Sequence, residues 1–363
     1  MYCSCWRYAA LLLIGWIGSA EAQTGFWGSP ENVGHPVNST QNELSGIIVD
    51  SGNKLYFSRS VGGQNDLFVS LREGDQWGRP AALTQLNTAL YNELNPTFSP
   101  DGSRIFFTSD RAGGSGEFDI WTSEFISSSW STPVPLGPEI NTSNSEWYAA
   151  VDADGIYVSA RTESGQNRGD IFYAPGSYPN YAVRAVIPAL ATPNREMSVY
   201  PIAALKELYI TRGSDGAPFD DIWLSIYEDG AWMPPTRVQC DVNTSEYEQY
   251  PTLNYSDYEL LFASRNQSAG LGGWDLYVSR WHTLGDMNAD GLATTADIVL
   301  LVYYLFAKGQ GPLDPRLEDV TCDGRISILD IVVLTNYVLR FGPVPCTDCS
   351  YTDISTYGRA ESW

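Results

Sequence analysis

"NPTFSPDGSRIFFTSDRAGGSGEFDIW", residues 95–121, sets the polar residues of an active site among the punctuation of a sheet. "LNPTFS" and "RIFFTS" alternate as strands on either side of the turn "PDG". The glycine-rich "RAGGSGEF" is a loop, and "DIWTSEF" begins a third strand. "WSTPVPLG", residues 130–137, is a fourth strand that Pro133 and Pro135 confine to a sheet edge, because proline cannot donate to a ladder.

The stretch is one of five copies. Its Asp119-Ile-Trp recurs at Asp66, Asp170, Asp221 and Asp275, at intervals of 53, 51, 51 and 54 residues. An arginine precedes each aspartate (Arg59, Arg111, Arg161, Arg212, Arg265), and a glutamate lies further upstream (Glu43, Glu93, Glu146, Glu196, Glu248). Four antiparallel strands in a repeat of ~50 residues make a propeller blade. The fifth copy stops after its third strand, and "FWGSPENVG" near the N-terminus resembles the missing fourth. Pairing the two removes both free edges. The expected fold is an all-β, five-bladed β-propeller closed by the N-terminal strand, spanning residues 23–283.

"NPTFSPDG" with "FTSDR" and "DIW" resembles the TolB-type (WD-like) propeller repeat over roughly residues 26–281. The third copy departs from it with "VDADG", the fourth with "IAALKE". The resemblance implies a fold and is nearly silent on activity. Five-fold repetition makes the Arg and Asp of each copy a latch across the glycine loop, since catalysis needs one site. The five glutamates are either a cation-holding ring or acceptors for backbone N–H groups. Trp147 and Arg195, each peculiar to one blade, point to a ligand at the rim, of sugar or peptide type.

Residues 1–22 read as a secretory signal peptide: Arg7, an apolar run, then Ala20-Glu21-Ala22. That run is too short to span a membrane. With 43 acidic and 21 basic residues the net charge is -22, which disfavours nucleic acid and anionic membrane as partners. Two histidines, no G-x-S-x-G and no P-loop set aside several enzyme classes. A secreted monomer is expected, extracellular or on a bacterial-type cell surface.

Beyond Trp281 the pattern changes. "DMNADGLATTADIVLLVYYLF" starts at Asp286 and "DVTCDGRISILDIVVLTNYVL" at Asp319, each an oxygen-rich loop before an apolar helix. Calcium loops need side-chain oxygens at positions 1, 3, 5 and 9, a backbone carbonyl at 7, glycine at 6 and an acid at 12. The first loop supplies Asp286, Asn288, Asp290, Leu292, Thr294 and Asp297; the second supplies Asp319, Thr321, Asp323, Arg325, Ser327 and Asp330. Aspartate at position 12 and the lack of a leading helix resemble a type I dockerin. That resemblance implies a small all-α module (284–346) with two Ca2+ ions and a cohesin-like module or other scaffold protein as partner. Positions 10 and 11 of its loops, Thr295-Ala296 and Ile328-Leu329, would carry partner specificity; the apolar second pair is an alternative contact for the propeller.

Residues 347–363 form a tail. Of Cys240, Cys322, Cys346 and Cys349, Cys322 is expected to pair with Cys346 or Cys349 as a structural clasp. These features add up to a non-catalytic propeller that binds a protein or polysaccharide, tethered through its dockerin. The alternative is an extracellular polysaccharide-degrading enzyme, a glycoside hydrolase or lyase, since five-bladed propellers also carry glycosidases with paired carboxylates.

Overall fold

The computed structural model describes residues 6–7, 23–161, 169–213, 219–238, 240–254, 258–265, 270–307, 315–340, 342, 345 and 358–359. The expected leader, apart from Trp6–Arg7, lies outside them, as do Cys346, Cys349 and most of the tail. The chain divides into two compact units, one of 30–238 with 242–279, the other of 1–29, 239–241 and 280–363.

The larger unit is built from five sheets, one per repeat. Blade one runs Glu43–Val49, Lys54–Val61 and Gln64–Glu73 from the innermost strand outward. Blades two to five begin at Glu93–Phe98, Glu146–Val151, Glu196–Ile202 and Glu248–Asn254. In blades one to four the outermost strand is split into two-residue halves, as at Gln76–Trp77 and Ala81–Ala82. Blade five takes its outer pieces from the N-terminus: Glu31–Asn32 pairs with Tyr277 and Val278, and Phe26 and Trp27 pair with His282 and Trp281. The protein is a five-bladed propeller closed by its N-terminal strand.

Alternation along the strands buries an apolar layer between neighbouring blades. Phe106 and Ile120 of blade two pack with Ala149, Ile156 and Val158 of blade three, all under a tenth exposed. Side chains also stitch inner strand to inner strand: Thr97 Oγ1 donates to Ala149 O (2.7 Å), and Thr252 Oγ1 donates to Gly46 O (2.8 Å), joining blade five to blade one. Blade four, without the usual turn residues, makes its inner hairpin by a 3-10 turn (Ala203–Leu205) ending in Lys206 at φ 54. There a lysine accepts the left-handed conformation that glycine adopts more cheaply.

The smaller unit holds two helices, α1 (Thr295–Ala307) and α2 (Ile328–Arg340). Leu301 and Leu334, at matching points of the two copies, are fully buried and share a core with Val320 and Ile326; Tyr304 and Tyr337 pack against it. Thr294 and Ser327 cap the helices, accepting the amides of Ala296 (3.2 Å) and Leu329 (3.1 Å). Cys322 is disulfide-bonded.

Candidate functional sites

Each inner strand starts at a glutamate with no exposed surface. The residues that satisfy these acids are local. Glu43 accepts Ser39 N (3.0 Å) and Ser39 Oγ (2.5 Å); Glu93, Glu146 and Glu248 repeat this with Thr88, Thr142 and Thr244. Glu196 accepts the hydroxyl of Thr192. Arg59, Arg111 and Arg184 lie 2.7 to 2.9 Å from Glu43, Glu93 and Glu146, while Arg212 stands 3.8 Å from Glu196. Burial pushes all five carboxyls up, Glu196 to about 8 and Glu248 to about 7.

The expected latch takes a different form. Arg59 lies opposite both Glu43 and Asp66 in the ladder, and its guanidinium turns to the glutamate. The wholly buried acid has more to gain from the cation than an aspartate that can draw on loop amides. Asp119 does so, accepting Ser115 N (2.9 Å) and Gly116 N (3.1 Å). In blade three Arg184 from the outer edge serves Glu146, while Arg161 meets Glu117 at 3.5 Å.

Trp147 and Arg195 come together at one cavity. Its volume is about 220 Å³, and Leu94, Phe118, Trp147, Arg195, Met197 and Tyr250 line it with Asn95 and Thr108. Every inner strand carries a β-bulge just past its glutamate, and in blades three and four the ladder skips Trp147 and Met197. An extra, unpaired residue re-aims its side chain. Trp147 O accepts Asn95 Nδ2 (2.5 Å) and Thr108 Oγ1 (2.9 Å), which anchors its backbone on blade two. Asp220 Oδ2 accepts both Arg195 Nη2 (2.7 Å) and Gln249 Nε2 (2.5 Å). Sequence reading found Trp147 and Arg195 but missed Met197, Tyr250, Phe118 and Gly169; the signal available was that blade three alone has glycine before its repeated aspartate.

The two loops before α1 and α2 match atom for atom in several places. Asp286 accepts Asp290 N (3.1 Å) and Gly291 N (2.8 Å), as Asp319 accepts Asp323 N (3.1 Å) and Gly324 N (2.8 Å). Asp297 accepts Asn288 N (3.1 Å) and Thr294 N (2.8 Å), as Asp330 accepts Thr321 N (3.1 Å) and Ser327 N (2.8 Å). Asp290 and Asp323 receive the amides of Leu292 (3.0 Å) and Arg325 (2.9 Å). Asn288 Nδ2 donates to Asp290 (2.8 Å), and Thr321 Oγ1 to Asp330 (2.9 Å). Among the described residues no three acidic, His or Cys side chains already stand together as a metal cage. The donor chemistry fits calcium nonetheless: hard oxygens in each loop, with Asp286 pushed up by burial and by Asp297 and Asp290, and Asp330 by burial and Asp319.

Residues 284–339 match the family model of the dockerin type I domain. The chain is thus a five-bladed propeller followed by a dockerin type I domain. No curated protein matches it in sequence. Solved structures of similar fold include an α-L-arabinofuranosidase of Podospora anserina (12% identity, TM-score 0.44, 72% of this chain and 97% of that one). TolB from Acinetobacter baumannii is another (12%, TM-score 0.40, 71% and 66%). A thermostable family-43 glycoside hydrolase is a third (11%, TM-score 0.45, 71% and 94%). At such identities the likeness concerns the fold alone. Among the described residues no helix is long and apolar enough to cross a membrane.

Proposed function

We propose that this chain is a receptor-tethered component of an extracellular polysaccharide-processing assembly. The observation that carries the proposal is the dockerin match over two loops of like construction. Asp286, Asn288, Asp290, Thr294, Asp297 and the Leu292 carbonyl would hold one calcium ion. Asp319, Thr321, Asp323, Ser327, Asp330 and the Arg325 carbonyl would hold the other. Bound calcium neutralises carboxylates that otherwise crowd one another. The chain's own residues do the docking: Val299, Val302, Tyr303 and Phe306 recur at helical spacing on α1 and stay exposed. Ile328 and Leu329 of α2 are exposed as well and suit the same partner.

For the propeller we take polysaccharide as the macromolecule it meets, and we favour the alternative given above, a polysaccharide-degrading enzyme, over the non-catalytic polysaccharide binder. Retention of the full chain on an immobilised type I cohesin module, in calcium and in chelator, tests the tether. Retention with calcium and release by chelator is expected; no retention in calcium overturns it. Release of new reducing ends from plant polysaccharides tests the processing role, and chains left intact would return the propeller to a purely binding function.

A further inference from the structure

We propose that the cavity on the bulged inner strands binds a single neutral sugar unit, a chain end or one-residue branch, stacked on Trp147 seated against Gly169. The proposal rests on the polysaccharide reading and narrows it to one site.

The repeat itself singles out the pair. Before the repeated aspartate the blades carry Asn65, Phe118, Gly169, Asp220 and Trp274; after the inner glutamate they carry Leu44, Leu94, Trp147, Met197 and Gln249. The one glycine of the first column and the one tryptophan of the second meet in the same blade. A Cβ at Gly169 would lie 2.4 Å from Trp147 Cζ3 and 2.8 Å from Glu196 O, closer than real side chains approach. The indole therefore occupies space that any other residue at 169 would claim. Its backbone is anchored by Asn95 and Thr108, so the ring is held in place before a ligand arrives. A rigid aromatic face loses little entropy on binding and suits the C–H face of a sugar ring.

Two further features set the ligand class. The cavity, at about 220 Å³, lies below the roughly 300–1,000 Å³ of pockets that enclose a drug-sized ligand, so it takes one ring and leaves the rest of a longer chain outside. Arg195, 39% exposed, is ion-paired with Asp220, and Gln249 fixes that carboxylate from the other side. Arg195 lines the cavity and the buried Asp220 balances its charge, so the wall offers N–H donors without a net charge, which favours hydroxyls over a uronate.

Saturation-transfer NMR and calorimetric titration of the full chain in calcium, with a panel of neutral xylo-, arabino-, gluco- and manno-oligosaccharides, test the site. Saturation confined to a terminal unit is expected. Trp147→Ala and Gly169→Ala should each weaken binding by about tenfold or more, with Trp147→Phe between them and wild type. Trp147→Phe keeps an aromatic ring in the bulge and guards against a folding defect, checked by melting temperature. Oligosaccharide bound equally by wild type and all three variants would overturn the site and leave the polysaccharide reading standing. Saturation spread over interior units would overturn the single-unit claim. If the wild type binds no glycan, or binds an apolar peptide instead, both the site and the reading fall.

Discussion

Glu196 has no exposed surface, and burial pushes its carboxyl up to about 8 against Thr192 and Arg212, which pull it down. The folded protein therefore keeps this proton while the unfolded chain releases it near 4.5, so stability falls as pH rises from 4.5 towards about 8. One such proton contributes a slope of up to about 1.4 kcal/mol per pH unit. Glu196→Gln should flatten that slope in urea denaturation across the window. An unchanged slope would mean that the carboxyl does not titrate there. Asn141 acts by hydrogen bonding alone. Its side chain accepts Ile120 N (2.9 Å) and donates to Ile120 O (3.0 Å), completing the ladder where the outer strand breaks. Asn38, Asn87 and Asn243 repeat this on Leu276, Leu67 and Ile222, while Ala191 stands at the fourth junction. Asn141→Ala should cost about 1–3 kcal/mol, read as a lower denaturation midpoint with unchanged m-value.

At the scale of elements, α1 and α2 show one acid serving two purposes. Asp297 and Asp330 close the helix N-termini by accepting Thr294 N and Ser327 N, and they also occupy position 12 of the loops. The two roles separate by substitution. Asp297→Asn keeps an acceptor for the cap and removes a charge, so helical circular dichroism should persist at saturating calcium while the calcium midpoint rises. Asp297→Ala loses the cap too, worth about 1 kcal/mol, and should lower the helical signal even in excess calcium. Equal behaviour of the two variants would show that the carboxylate has only one of these roles.

For the molecule as a whole, the two units draw on different sources of stability. The propeller rests on apolar layers between blades and on a ring whose last sheet is finished by Glu31–Asn32. The helical unit has a small core around Leu301, Val320, Ile326 and Leu334, beneath loops crowded with carboxylates. Small modules of this kind fold on their metal, because binding free energy is folding free energy. Scanning calorimetry should show two transitions, and chelator should shift only the one that carries the helical signal. Helical signal that survives full chelation would reduce the loops to ordinary turns.

Spacing alone determined the architecture. A five-fold period with four strand patterns, an incomplete last copy and an orphan first strand admit one closed ring, because each sheet must cover its edges. The same holds for the loops before α1 and α2, whose oxygens fall at positions that calcium geometry dictates. What spacing could not determine was the partner of each buried charge. Arg59 faces an acid on either side in the ladder, and only burial decides that Glu43 takes it; Arg184, far along the chain, replaces Arg161 at Glu146. The cavity was half legible. Trp147 and Arg195 stood out as departures from the repeat, but Met197, Tyr250 and Phe118 joined them only in three dimensions. Bulges and inter-blade contacts bring together residues more than fifty positions apart, and no local pattern records such a meeting.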